Sequence, residues 1–206
     1  MERAIAFPAG SNTLEGLISV PQGSPRAGVV ICHPHPLRGG EMSNAIVEAL
    51  VGAFGDAGHA TLRFNFRGVG ASTGVHDEGR GEIDDVQSAV TCLLARSAVP
   101  IVAVAGYSFG AWVGLAAGVA DPRVHRLIGI APPVASRDHG FLAGAAKPTL
   151  LIAGDCDDYA PVAKLSALAA GLGDQPSLVI VAGADHFFGS AAHEVSRAAA
   201  EFVAGA

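Results

Sequence analysis

Short apolar runs rich in Val, Ile and Leu recur along this chain, with helix-length segments between them. That alternation restricts the fold more than any other feature. The runs are Gly28 to Cys32, Ala60 to Phe66, Ile101 to Gly106, Leu127 to Ile130, Thr149 to Ala153 and Leu178 to Val181. They are continuous, as strands covered on both faces are. Helical candidates fall at Ser43 to Gly55, Gly81 to Arg96, Ala111 to Ala120, Pro161 to Gly171 and Ala191 to Val203. Two shorter strands, Arg3 to Pro8 and Thr13 to Val20, precede them around a turn at Gly10-Ser11-Asn12. The pattern predicts an α/β chain: a mostly parallel sheet of about seven to eight strands with helices on both faces. Right-handed crossovers then gather the loops after the strands along one edge, where a site belongs.

One of those loops is distinctive. The run Ile101-Val102-Ala103-Val104-Ala105 leads directly into Gly106-Tyr107-Ser108-Phe109-Gly110, and a helix-compatible segment follows. With 27 glycines in 206 residues, Gly-x-Ser-x-Gly arises readily by chance, so the context decides. A strand turning sharply into a helix around that serine is a nucleophile elbow, which lifts the hydroxyl above the sheet edge. Strand and helix cross so closely there that a Cβ two residues before or after the serine would collide. The turn also aims the Phe109 N–H at the place where an oxyanion would form.

Charge and composition narrow the partners. The formal charge is −6 and no basic stripe exists, which argues against nucleic acid and against anionic membrane surfaces. Half the residues are hydrophobic, enough for one domain over residues 1–206 with a substantial core. No apolar run reaches membrane-spanning length, and Met1 to Gly10 does not read as a signal peptide. Cys32, Cys92 and Cys156 show no Cys-x-x-Cys spacing and suit a reducing compartment, so a cytoplasmic location is expected.

Further reactive residues fall on the loops after later strands. Thr149 to Ala153 leads into Gly154-Asp155-Cys156-Asp157-Asp158, and Leu178 to Val181 leads into Gly183-Ala184-Asp185-His186. Serine, acid and histidine in that order, each behind a different strand, suit a triad assembled from loops. Composition leaves Asp155, Asp157 and Asp158 equivalent as the acid, while Asp185 is better placed to cap the last helix or face water. His186 is singled out by its strand end. His59, His76, His125, His139 and His193 sit where helices or loops would expose them. His33 and His35, in Cys32-His33-Pro34-His35-Pro36, lack a third ligand at metal spacing, so no metal is expected. That stretch reads instead as an oxyanion loop. Pro34 and Pro36 have no N–H, leaving the one of His35 to join that of Phe109. The glycines in Arg67-Gly68-Val69-Gly70-Ala71-Ser72-Thr73-Gly74 match neither a dinucleotide fingerprint nor a Walker loop, so no cofactor is implied. Arg67 is expected to tie neighbouring loops together.

Taken with Gly39-Gly40 and Arg63-Phe64-Asn65-Phe66, these segments resemble the α/β-hydrolase superfamily, and within it the small, lidless, bacterial-type serine hydrolases. The resemblance runs from about Gly28 to the C-terminus and implies the α/β-hydrolase fold without a cap domain. It also chooses the acid. In this superfamily the acid usually stands three residues after the glycine closing its strand and shortly before a proline, which Gly154 and Pro161 match at Asp157. Two departures are visible: Pro34 stands where related loops carry glycine, and Asn65 where many carry Asp.

The implied activity is cofactor-independent hydrolysis of a small-molecule carboxylic ester through Ser108, His186 and Asp157. Thioesterase or amidase chemistry, or a non-catalytic binding domain of the same fold, are the alternatives. Only Ala131 to Lys147 lies where lipases insert a lid, so a shallow pocket walled by Leu37, Trp112, Pro132 to Val134 and Phe187 is expected, favouring short acyl or aryl esters. A partner copy could supply a roof, which leaves a homodimer open.

Overall fold

In the computed structural model, which describes residues 1–172 and 176–205, the strands are β1 (Arg3–Ala9), β2 (Asn12–Ser19), β3 (Gly28–Cys32), β4 (Ala60–Phe64), β5 (Val102–Tyr107), β6 (Arg126–Ile130), β7 (Thr149–Gly154) and β8 (Pro176–Val181). They form one eight-stranded sheet in the order β1-β2-β4-β3-β5-β6-β7-β8. The pairs β1–β2 and β2–β4 are antiparallel and all others parallel.

Burial follows that division. β3, β4, β5 and β7 are buried at every position, whereas β1 and β2 include exposed or half-buried positions along their length. The helices are α1 (Ala45–Asp56), α2 (Arg80–Arg96), α3 (Phe109–Ala120), α4 (Val162–Ala170) and α5 (Ala192–Ala204). α1 packs with α5 and α2 with α3, covering the strands. Between β6 and β7 the helical structure is a 3₁₀ turn at Gly140–Leu142, so no cap stands over the sheet edge. No helix among the described residues is long and apolar enough to cross a membrane.

The chain leaves β3 for β4 on one side, then returns to β5 on the other. Loops following β3 and β5 therefore diverge, opening a crevice at their C-terminal ends. α3 reaches down to the sheet because Gly110, Gly114 and Gly118 line one face at a spacing of four. A Cβ at Gly110 would strike the Cys32 and His33 carbonyls, and one at Gly114 would lie 3.1 Å from Val104 Cγ1.

Element ends differ from expectation where side chains intervene. β4 stops at Phe64, not Phe66, because the Phe66 N–H donates to the His33 ring at 3.1 Å instead of a neighbouring strand. α1 starts at Ala45, after Asn44, whose side chain accepts from the Ile46 N–H at 3.0 Å. Arg67 reaches a helix as well as its own loop: its guanidinium and backbone N–H all bind the fully buried Asp85 of α2. That carboxylate holds the Arg67 guanidinium above its ordinary pKa.

Candidate active site

Ser108 sits between β5 and α3 with φ of 56° and ψ of −118°, a conformation costly for a residue bearing a Cβ. The strain is held by packing. A Cβ at Gly106 would run into the Gly110 carbonyl, so only glycine lets strand and helix turn this tightly. The Ser108 N–H donates to Ile130 O at 2.8 Å, fixing the turn to β6. Ser108 Oγ lies 2.9 Å from His186 Nε2. On the other side of the ring, His186 Nδ1 lies 2.8 Å from Asp157 Oδ2. The carboxylate can only accept, so Nδ1 carries the proton and Nε2 is left to accept from the serine hydroxyl.

Asp157 is oriented by its own loop. Its second oxygen accepts the Tyr159 and Ala160 N–H groups at 2.8 and 2.9 Å, and its side chain is fully buried. The other aspartates point elsewhere. Asp155 accepts from the Gly183 N–H at 2.7 Å, Asp185 from the Phe187 N–H at 2.9 Å, and Asp158 is exposed. The Tyr107 hydroxyl donates to the His186 carbonyl at 2.9 Å, tying the histidine loop to the elbow.

The loop after β3 is built around its two histidines. His33 is fully buried; its Nε2 accepts from Phe66, so Nδ1 is the donor to Pro34 O at 2.7 Å. Both nitrogens are committed to the backbone, which removes this ring as a metal ligand. The His35 carbonyl accepts the Arg38 and Gly40 N–H groups, each at 3.0 Å, closing a tight turn. Among the described residues the N–H groups of His35 and Phe109 have no hydrogen-bond acceptor, and both residues line the cleft above Ser108.

That cleft has a volume of about 450 Å³ and is open to solvent; Pro133, Tyr159, His186 and Phe187 form part of its wall. The expected wall needs correction. Leu37 is 72 % exposed and outside the cleft, because the 3₁₀ turn Pro36–Arg38 places Arg38, not Leu37, among the lining residues. Trp112 also lies outside: its indole N–H donates to Asp138 O at 2.9 Å and its face carries the Arg137 guanidinium 4.8 Å from the ring centre. Phe187 does line the cleft, as does Pro133 of the Pro132 to Val134 segment. Arg38, Asn44, Arg137 and Tyr159 also line it, and the sequence reading missed them. All four follow β3, β6 or β7, so the loop-edge rule was the available signal.

Three histidines expected at the surface are enclosed. His59 is buried beside Phe54, His139 is buried, and the His76 side chain is tucked against Phe109 with ring centres 5.4 Å apart. Tertiary packing over loops encloses them, which local sequence does not reveal.

The buried histidines make stability pH-dependent. Burial pulls the His33 pKa down from 6.5 to about 4, so the folded chain keeps this ring neutral. Unfolded, it takes up a proton near pH 6.5, so stability is lost as pH falls from there to about 4. That single group accounts for a loss of roughly 3 kcal/mol. His35, His59 and His139, also pulled down chiefly by burial, act in the same direction. Urea unfolding at stepped pH should show the midpoint falling through this window and a shallower fall for His33→Gln. Equal slopes would contradict the role given to His33.

Comparison with known proteins bears on this geometry. A family model described as serine aminopeptidase, S33, matches residues 23–147. The chain belongs to the α/β serine hydrolases. An α/β serine hydrolase homologue from Coxiella burnetii is 34 % identical, with a TM-score of 0.87 over 97 % of this chain and 96 % of that one. A serine hydrolase without a lid from Xanthomonas campestris is 30 % identical, with a TM-score of 0.88 over 98 % of this chain and 93 % of that one. An uncharacterised protein of Rickettsia prowazekii is 34 % identical over 87 % of this chain and 80 % of its own length. The family match ends before Asp157 and His186, so within this serine hydrolase their assignment rests on the geometry.

Proposed function

We propose that this serine hydrolase cleaves carboxylic esters with Ser108 as nucleophile, His186 as general base and acid, and Asp157 as the group that orients and charge-balances the imidazole. The observation that carries the proposal is the unbroken relay from Ser108 Oγ to His186 Nε2 and from His186 Nδ1 to Asp157, at 2.9 and 2.8 Å. As Oγ bonds to the ester carbonyl carbon, its proton passes to His186 Nε2, and the carbonyl oxygen becomes an oxyanion facing the N–H groups of His35 and Phe109. Collapse breaks the bond to the alkoxy oxygen, which leaves with the proton from His186. Water then gives its proton to His186 and attacks the acyl carbon, and Ser108 recovers its proton as the acid departs.

The open cleft and the absent cap favour short acyl chains. Turnover of p-nitrophenyl esters from acetyl to palmitoyl is expected to peak among the shortest chains and to depend on Ser108. A maximum at palmitoyl would contradict this substrate range. Because the matched family is described as a serine aminopeptidase, aminoacyl p-nitroanilides belong in the same assay. Amide turnover exceeding ester turnover would favour the amidase reading.

A further inference from the structure

The acidic balance of the chain, 19 carboxylates against 13 Lys and Arg, reverses inside its cleft. Among the described residues no Asp or Glu lines the cleft, while Arg38 and Arg137 do. Their positions differ in kind. Arg137 is held in place: its guanidinium stacks on Trp112, and that indole is tied to the neighbouring Asp138 carbonyl. Its nearest carboxylate, Glu78, stands at 3.6 Å and is 61 % exposed, too far for a direct hydrogen bond and mostly solvated. The Arg38 guanidinium has no ion pair among the described residues and projects from a turn fixed by the His35 carbonyl.

The two arginines reach the cleft from opposite sides of β5, Arg38 from the loop after β3 and Arg137 from the loop after β6. Arg38 follows β3 directly. Arg137 reaches Glu78, which lies between β4 and α2, and both guanidinium charges are close enough to disfavour protonation of His35, behind burial and His76. His186 and Asp157 follow β8 and β7, which lie beyond β6 in the sheet. A leaving group must face His186 to receive its proton, which leaves the part of the cleft around His35 and Arg38 open to the acyl portion.

We infer that this cleft selects esters whose acyl portion ends in an anionic group, carboxylate or phosphate, held by Arg38 and Arg137. The inference rests on the ester-hydrolase proposal above and adds the substrate class. Guanidinium groups bind either anion through charge-assisted, forked hydrogen bonds, and Arg137 is already ordered for it. Asn44, also in the cleft, gives its Oδ1 to capping α1, whereas the two arginines bring a permanent positive charge to the lining.

The test compares p-nitrophenyl hexanoate with mono-p-nitrophenyl adipate, which share the leaving group and carbon count and differ in a terminal carboxylate. A phosphonate-terminated acyl ester forms the third arm. The expected result is a preference of about tenfold in kcat/KM for an anionic ester, expressed in KM and weakened by salt. The preferred anion identifies the source. The preference should fall to about unity in Arg38→Gln combined with Arg137→Gln, and reverse in Arg38→Glu. Because Arg137 also packs on Trp112, the exposed Arg38 variants carry the test if Arg137→Gln unfolds. Equal turnover of neutral and anionic esters, or an anionic preference that survives both substitutions, would overturn the inference. Absence of all turnover would count against the ester-hydrolase proposal instead. The arginine site is then read by calorimetry on Ser108→Ala with monomethyl adipate and methyl hexanoate. Arg38-dependent binding of the adipate alone supports it, and no such binding overturns it.

Discussion

Ser108→Ala is expected to lower kcat for ester hydrolysis by about 10⁴- to 10⁶-fold while leaving substrate binding nearly intact. Removing Oγ deletes the proposed nucleophile, and among the described residues no other hydroxyl is hydrogen-bonded to His186 Nε2. Stability should hold or rise, because alanine keeps the backbone of the turn and removes only a half-buried hydroxyl. A thermal melt run beside the kinetics separates lost chemistry from lost fold. Residual turnover within about tenfold of wild type would place the nucleophile elsewhere.

The second large effect is expected at Asp157. Asp157→Asn preserves size and the acceptor for the Tyr159 and Ala160 N–H groups, but it can present an amide N–H to His186 Nδ1. The imidazole is then driven to carry its proton on Nε2, where it cannot accept the Ser108 hydroxyl proton, and the charge that balances the imidazolium is gone. A fall of about 10⁴-fold in kcat follows. Asp158→Asn, at an exposed neighbouring position, should stay within about twofold of wild type. Kinetics of the two variants side by side decide which carboxylate serves; equal losses, or a larger loss at Asp158, would remove Asp157 from the relay.

Much of the fold was legible because it rests on local signals. The apolar runs locate the buried strands, and the glycines around Ser108 read as a steric requirement that the structure explains through the Gly110, Cys32 and His33 carbonyls. What the sequence left open depends on tertiary partners. By composition Asp155, Asp157 and Asp158 are equivalent in a single turn, and only the family resemblance chooses Asp157. They differ through the N–H groups of Gly183, Tyr159 and Ala160, which the fold delivers. Leu37 and Trp112 appeared as walls because they are large and apolar. A turn begun by Pro36 leaves Leu37 in solvent, and Asp138 and Arg137 hold Trp112 outside the cleft. The same blindness hid the arginines, since a cation in a loop reads as solvated until its neighbours are known. His59, His76 and His139 differ from expectation for the converse reason: each ring packs against an aromatic neighbour, Phe54, Phe109 and Phe141 respectively.

The central claim is that Ser108 is an activated nucleophile, and a fluorophosphonate probe followed by peptide mass spectrometry tests it without knowledge of the substrate. The expected result is a stoichiometric adduct on the peptide carrying Ser108, absent in Ser108→Ala and formed far more slowly in Asp157→Asn. An unmodified Ser108 under conditions that leave the protein folded, or an adduct on a different serine, would contradict it.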